Sequence, residues 1–367
     1  MKLLIATGVY PPEIGGPGTY TVFLEKHLGD EGHTYTTVPY RVVARFPKIL
    51  KHGVYVFSLI RASQGCDIIY ALDTVSVGFP AMIASMITRK PLFLRVPGDY
   101  AWEQGQQRFG VHETLDEYRT QPARSFFVRA LAWIQFCVAR YATQIVVPSE
   151  YMKGVVVAWG VNPRKVTRVY SALKVVKVRE SKEALRTRIG HSDFAILTAA
   201  RLVPWKGVHA LITALSELRK RGVRASLDIV GDGTDRAALE LHARTLGVDE
   251  HVRFRGVCTR EVLGEFVMAS DAFVLNTSYE GFSHQLLEVM HAGVPVITTP
   301  VGGNVELITH NVEGLLVPFN DVAALVQSLS MLMTDTSLVQ RLTERAKQKA
   351  EHFHEDVVIK DFFALIS

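Results

Sequence analysis

Short apolar runs recur along this chain, each followed by a loop carrying glycine or proline and then by a stretch whose apolar positions return every three or four residues. That alternation predicts strands followed by helices. In the first half the strand-like runs are residues 2–7, 67–72, 91–96 and 144–148; in the second they are 194–198, 225–230, 252–254, 272–275, 294–298 and 314–317. Strand and helix in strict succession imply parallel sheets wrapped in helices, so the expected fold class is α/β. Helical periodicity is clearest over residues 22–28, 126–138, 209–220 and 322–352. Between residues 174 and 192 the pattern turns charged and loses strand character, which places a linker there. The expected domains are therefore residues 1–178 and 179–352, with an apolar tail at 353–367.

A chain of 367 residues agrees with two domains, since single cores rarely grow past about 250 to 300 residues. Cys66, Cys137 and Cys258 show no Cys-x-x-Cys spacing, so neither a zinc site nor a redox pair is expected, and a reducing cytosol fits best. The opening Met1-Lys2-Leu3-Leu4-Ile5-Ala6 is too short for a signal peptide, and no run reaches the length of a membrane span. Charge is uneven. Residues 1–178 carry 21 Lys and Arg against 12 Asp and Glu, residues 179–367 carry 20 against 24, and the two surpluses, +9 and −4, give the net +5. A basic first half would favour an anionic acceptor or an anionic membrane face, such as the inner face of the cell membrane.

The chemistry concentrates around Tyr279-Glu280-Gly281-Phe282-Ser283-His284-Gln285-Leu286-Leu287-Glu288, which follows one predicted strand and enters an apolar helix. Ligands of open α/β sheets sit beyond the carboxyl ends of the strands, so Glu280 through Gln285 would face a ligand there, with helix-start amides suited to an anion. Glu280 and Glu288 are eight residues apart, about 80° around a continuous helix. They could share one ligand or be two ordinary solvated glutamates. After an earlier strand, Arg201 and Lys206 flank the start of the stretch 209–220, where two cations could meet a leaving diphosphate or simply sit in solvent. Glycine-rich loops follow other strands: Glu13 to Tyr20 with Gly15 and Gly16, Gly231-Asp232-Gly233, and Gly302-Gly303. None reads Gly-x-Gly-x-x-Gly, which argues against a dinucleotide-dependent dehydrogenase.

Together these motifs resemble those of the family 4 retaining glycosyltransferases, whose Glu-x7-Glu motif the Glu280 to Glu288 segment matches. The resemblance covers nearly the whole chain. It implies the GT-B architecture, two facing Rossmann-like domains with a deep cleft between them, the final segment packing back on the first domain. It also implies transfer of a sugar from a UDP- or GDP-linked donor, with retention, to a hydroxyl of a glycan or lipid-linked acceptor in envelope or polysaccharide synthesis. Glu280 would lie by the donor sugar, the Phe282, Ser283, His284 and Gln285 backbone would hold diphosphate or sugar, and Glu288 would bind the ribose hydroxyls. Arg201 and Lys206 would bind the diphosphate; Gly15, Gly16 and Gly233 would let backbone approach the donor. No Asp-x-Asp appears in a donor-like setting, so neither a metal nor a further cofactor is expected, and nothing points to nucleic acid.

The chain departs from that family where many members place a histidine after the strand at 91–96: here Asp99 follows Pro97-Gly98. Asp99 could position a sugar, take a proton, or merely cap the next helix. Residues 41–51 place cations at helical spacing among apolar residues, as an interfacial helix would, although Pro47 would break it. Residues 126–138 are apolar nearly all round and predict a buried helix. A sugar-nucleotide epimerase or phosphorylase on the same fold, or an inactive glycan-binding relative, are the competing readings.

Overall fold

The computed structural model describes residues 1–13, 16–120 and 125–366, which divide into two compact units. The first unit comprises residues 1–171 and the chain from Val358 onward; the second runs from Ala172 to Val357. The division thus falls a few residues before the change in charge pattern, because residues 172–178 keep company with the second unit despite having no strand of their own.

Each unit is built on a six-stranded parallel sheet. In the first, β1 (Lys2–Thr7), β2 (Thr34–Pro39), β3 (Ile68–Ala71), β4 (Leu92–Arg95), β5 (Gln144–Val147) and β6 (Val166–Arg168) lie in the order β2-β1-β3-β4-β5-β6. In the second, β7 (Phe194–Ala199), β8 (Ala225–Val230), β9 (Val252–Gly256), β10 (Ala272–Leu275), β11 (Val296–Thr298) and β12 (Leu315–Leu316) lie in the order β12-β11-β10-β7-β8-β9. The strands are apolar runs because helices cover both faces of a parallel sheet. In the second unit Ile196, Leu227, Ile229, Val274 and Ile297 form one core with Leu211, Leu215, Leu325 and Leu329 of the covering helices.

Two strands lack an apolar run in the sequence. β2 and β6 are edge strands, each paired on one side only, and their Thr, Tyr and Arg side chains stay largely in partial contact with solvent. The expected helix over 322–352 is two helices, Val322–Thr334 and Thr336–Ala350; Asp335 separates them and caps the second by accepting from the Leu338 amide at 2.8 Å. Segment 41–51 is broken at Pro47, where the sequence places a break. A short 3-10 turn, Tyr40–Val43, ends before Pro47, and a new helix, Lys48–Ala62, begins directly after it, as proline's fixed φ and missing N–H favour.

The helix Phe126–Tyr141 corrects a further expectation. It is not buried: Phe126 is 76% exposed, Phe127 62% and Trp133 65%, while only Val128, Gln135, Val138 and Ala139 are covered. Packing against the helices Gly78–Thr88 and Tyr100–Arg108 hides one side of it and leaves those rings largely exposed.

The final helix, Glu355–Ile366, carries Phe362 into the first unit's core, where it is fully buried with its ring 5.5 Å from that of Tyr70 on β3. Phe353, just before it, packs instead on Phe282 of the second unit at 5.6 Å. Replacing Phe362 by alanine removes a large buried ring, so Phe362→Ala should cost about 3–5 kcal/mol of stability in denaturant titration. A loss under 1 kcal/mol would mean that the last helix does not hold the first unit together.

Candidate functional site

In the second sheet the chain order reverses between β7 and β10, which lie side by side: β8 and β9 extend to one hand, β11 and β12 to the other. Loops leaving neighbouring strands at such a point diverge and open a crevice at the carboxyl ends. The β7 loop carries Arg201 and the 3-10 turn Pro204–Lys206; the β10 loop carries Glu280. There Lys206 Nζ meets Glu280 Oε2 at 2.5 Å, the two side chains 13% and 19% exposed. The Arg201 guanidinium stands 5.5 Å from the Trp205 ring centre.

A polar lattice holds the two loops in place. The Asn276 side chain donates to the Gly207 carbonyl at 2.8 Å and accepts from the Asn320 amide at 3.0 Å. The Ser278 amide donates to the Trp205 carbonyl at 2.8 Å, the Thr277 hydroxyl lies 3.1 Å from that same carbonyl, and the Thr299 hydroxyl donates to the Thr277 carbonyl at 2.6 Å. All three side chains are buried, so each bond replaces one that water would otherwise make.

The glycines complete this bracing. Gly302 sits at φ 54° with the Glu280 carbonyl oxygen where a Cβ would lie, 1.9 Å away, and the Gly303 amide donates to that oxygen at 2.9 Å. A Cβ on Gly233 would fall 2.1 Å from the Leu202 carbonyl oxygen. Glycine at 233 is therefore required by a neighbouring loop of the protein itself.

The helix after Glu280 spans His284–Ala292, so Glu280 lies in the loop and the expected 80° relation to Glu288 does not apply. Ser283 caps that helix, its hydroxyl accepting from the Leu286 amide at 3.3 Å, and Phe282 is buried against Phe353. Both side chains thus serve the fold, leaving the backbone of Phe282 to Gln285 and the half-buried His284 and Gln285 side chains at the helix start. Glu288 has its own partner. Arg260, opening the helix Arg260–Ala269, hydrogen-bonds the Glu288 carboxylate, whose proton affinity burial raises and Arg260 lowers, burial prevailing. Glu288 also lines a cavity of about 510 Å³ together with His291, Leu263, Met268, Lys177 and Arg179. Arg260 escaped the sequence reading because it is 28 residues from Glu288 and no local spacing links them.

The structure thus gathers Arg201, Lys206, Gly233, Glu280 and Glu288 on one edge of the second sheet. Asp99 and Gly16 belong to the first unit. Gly15 lies outside the described residues, and Gly16 opens the helix Gly16–Asp30. Asp99 is a buried helix cap: one carboxylate oxygen accepts from the Trp102 amide at 3.0 Å, the other from the Trp159 indole at 3.2 Å, and only 2% of the residue is exposed. Of the three readings of Asp99, this geometry is that of the helix cap. Its carboxyl is pushed above the ordinary range by burial and drawn back by the Trp102 amide, Gln135 and Trp159.

Residues 180–349 match the family model described as glycosyl transferases group 1. That match spans most of the second unit. In sequence the chain is 32% identical over 186 residues to an exopolysaccharide phosphotransferase of Streptomyces coelicolor, a match spanning 50% of this chain and 20% of that one. It is 31% identical over 211 residues to a D-inositol 3-phosphate glycosyltransferase of Streptomyces bingchenggensis, spanning 54% and 46%. The matched region is therefore half or less of these relatives' length. In structure the whole chain is similar to 99% of Anabaena HepE in complex with UDP-glucose, with a TM-score of 0.79 at 19% identity. Two Rossmann-like α/β units of this kind are the GT-B glycosyltransferase fold.

Two measurements probe this architecture. Gly302→Ala forces a Cβ into the Glu280 carbonyl at a left-handed φ, so it should lower stability by about 1–3 kcal/mol or more and shift the β10 loop; an unchanged melting curve would mean that the loops are not braced there. Asp99→Ala should cost about 1–2 kcal/mol, with Asp99→Asn retaining most of the cap, in chemical denaturation. Equal stability of wild type and Asp99→Ala would refute the capping role.

Proposed function

We propose that the protein is a metal-independent retaining glycosyltransferase. It moves a sugar from a UDP- or GDP-linked donor to a hydroxyl of a glycan or lipid-linked acceptor, in the cytoplasm, during envelope or polysaccharide synthesis. The observation that carries this reading is the Lys206–Glu280 pair at the point where strand order reverses, inside a group 1 domain. HepE, similar over its whole length, has been solved with UDP-glucose, which supports a nucleotide-sugar donor here.

The chemistry assigns roles. As the bond between the anomeric carbon and the phosphate oxygen breaks, its electron pair goes to the leaving diphosphate and negative charge grows on that oxygen, while the acceptor hydroxyl oxygen bonds the anomeric carbon and gives its proton to the diphosphate. Lys206 has three N–H donors, so Glu280 can hold one and fix the ammonium while the others turn to the diphosphate. Arg201 adds a second cation, and first-turn amides of the helix His284–Ala292 a third positive locus, already in place before the charge develops. Glu280 accepts from donor-sugar hydroxyls and Glu288 from the ribose hydroxyls, with Arg260 holding the Glu288 carboxylate and opposing the rise in proton affinity that burial gives it.

Lys206→Met should therefore lower turnover about 100-fold or more while donor-sugar preference changes little. Glu288→Ala should weaken UDP or GDP binding roughly 10- to 150-fold in calorimetry, the loss of hydrogen bonds to a charged acceptor. Proton NMR of the product would show the donor's anomeric configuration. Near-normal turnover in Lys206→Met, unchanged nucleotide affinity in Glu288→Ala, or an inverted product would each remove the corresponding part of the reading.

A further inference from the structure

The first unit carries an outer surface unlike an ordinary solvent face. Its helices Lys48–Ala62, Gly78–Thr88 and Phe126–Tyr141 pack in one layer, the middle one against both others. From this layer Phe57, Met86, Ile87, Phe126, Phe127 and Trp133 project with half or more of their surface exposed. Arg61, Arg89, Arg129 and Arg140 are exposed on the same elements. The opposite sign is missing. Residues 48–62, 78–90 and 126–141 hold three, two and two lysines or arginines and no aspartate or glutamate. The whole chain has 36 acidic residues in 367, so segments of this combined length would carry about four.

Each property narrows the occupant. Soluble proteins rarely leave large aromatic side chains clustered in water, and a solvated helix face normally mixes both charges. Aromatic rings and arginines without acids are what the boundary of an anionic bilayer selects: rings enter the headgroup region, cations meet lipid phosphates, and a carboxylate would be repelled by the surface potential. Among the described residues no single helix is long and apolar enough to cross a membrane, so the contact would be peripheral.

We propose that the layer formed by these three helices is a docking surface for an anionic lipid bilayer, with Phe126, Phe127 and Trp133 as its inserted side chains. It deepens the transferase reading, since it would bring the enzyme to a lipid-linked acceptor, but it stands on the first unit's own surface.

The test uses the full chain in vesicle flotation, with phosphatidylcholine alone or mixed equally with phosphatidylglycerol, and needs no sugar donor. Trp133 also reports directly. It is exposed, whereas Trp102 and Trp205 are buried and Trp159 is half-buried, so its emission should shift to the blue on the mixed vesicles. The chain should float with the mixed vesicles at low salt and be released by high salt. Phe126→Ser combined with Trp133→Ser should reduce partition at least tenfold. Arg129→Gln and Arg140→Gln should each reduce it about fivefold, with melting curves unchanged in every variant. No flotation at low salt, or equal flotation of parent and variants, overturns the proposal. So does a parent dimer in sedimentation velocity that Trp133→Ser dissolves, which would make the face a contact between copies. Vesicle binding without sugar transfer would instead count against the transferase reading and leave this one standing.

Discussion

Everything at the carboxyl edge of the second sheet depends on how closely its loops touch through bare backbone. The carbonyl oxygens of Ala200, Leu202 and Glu280 occupy the space that side chains on Gly231, Gly233 and Gly302 would fill. Contact at that range leaves a loop little freedom, so Arg201, Lys206 and Glu280 are presented by segments that brace one another. Side-chain bonds alone would be a weaker constraint, because an amide on a mobile loop can exchange its partner for water. Buried beneath the contact, Asn276, Thr277 and Thr299 have no such exchange available, and they fix the loops from below.

This arrangement explains why two acids in one motif live in different electrostatic surroundings. Glu280 is paired with Lys206 from the β7 loop, and Glu288 with Arg260 from the start of another helix. A buried carboxylate without a cation would take up a proton rather than stay charged. Glu288 shows the balance directly: burial raises its proton affinity and Arg260 opposes that rise. The spacing of eight residues therefore does not bring the acids together around a helix; it places one before the helix cap at Ser283 and one on the helix, where separate cations reach them.

Core strands were legible because parallel sheets need continuous apolar runs, and β1, β8 and β10 fall on the residues that the pattern marks. The edges were not. β2 and β6 have one neighbour each and tolerate polar side chains, so no apolar run announces them. At the site, motif residues were legible singly, while their partners were not: Arg260 and Asn320 reach their targets only after the chain folds. Glycine was legible as a requirement, but the carbonyl of Leu202 that imposes it at 233 was not.

The helix Phe126–Tyr141 marks the limit of reading hydrophobicity as burial. Apolar residues all round a helix usually mean cover on all sides, and the sequence offers no means of telling cover by protein from cover by something else. The structure separates the two, because Val128, Gln135, Val138 and Ala139 face inward while Phe126, Phe127 and Trp133 face out. Buried Gln135 sharpens the point. Its carbonyl oxygen accepts from the Tyr100 amide at 2.9 Å, so the one polar residue on the covered side is held by the fold, while on the other side Phe127 stacks on Phe109 at 5.5 Å and still leaves most of its surface exposed, as do Phe126 and Trp133. Exposed rings beside cations, with no acids on the same helices, are the two features on which the proposed docking surface rests.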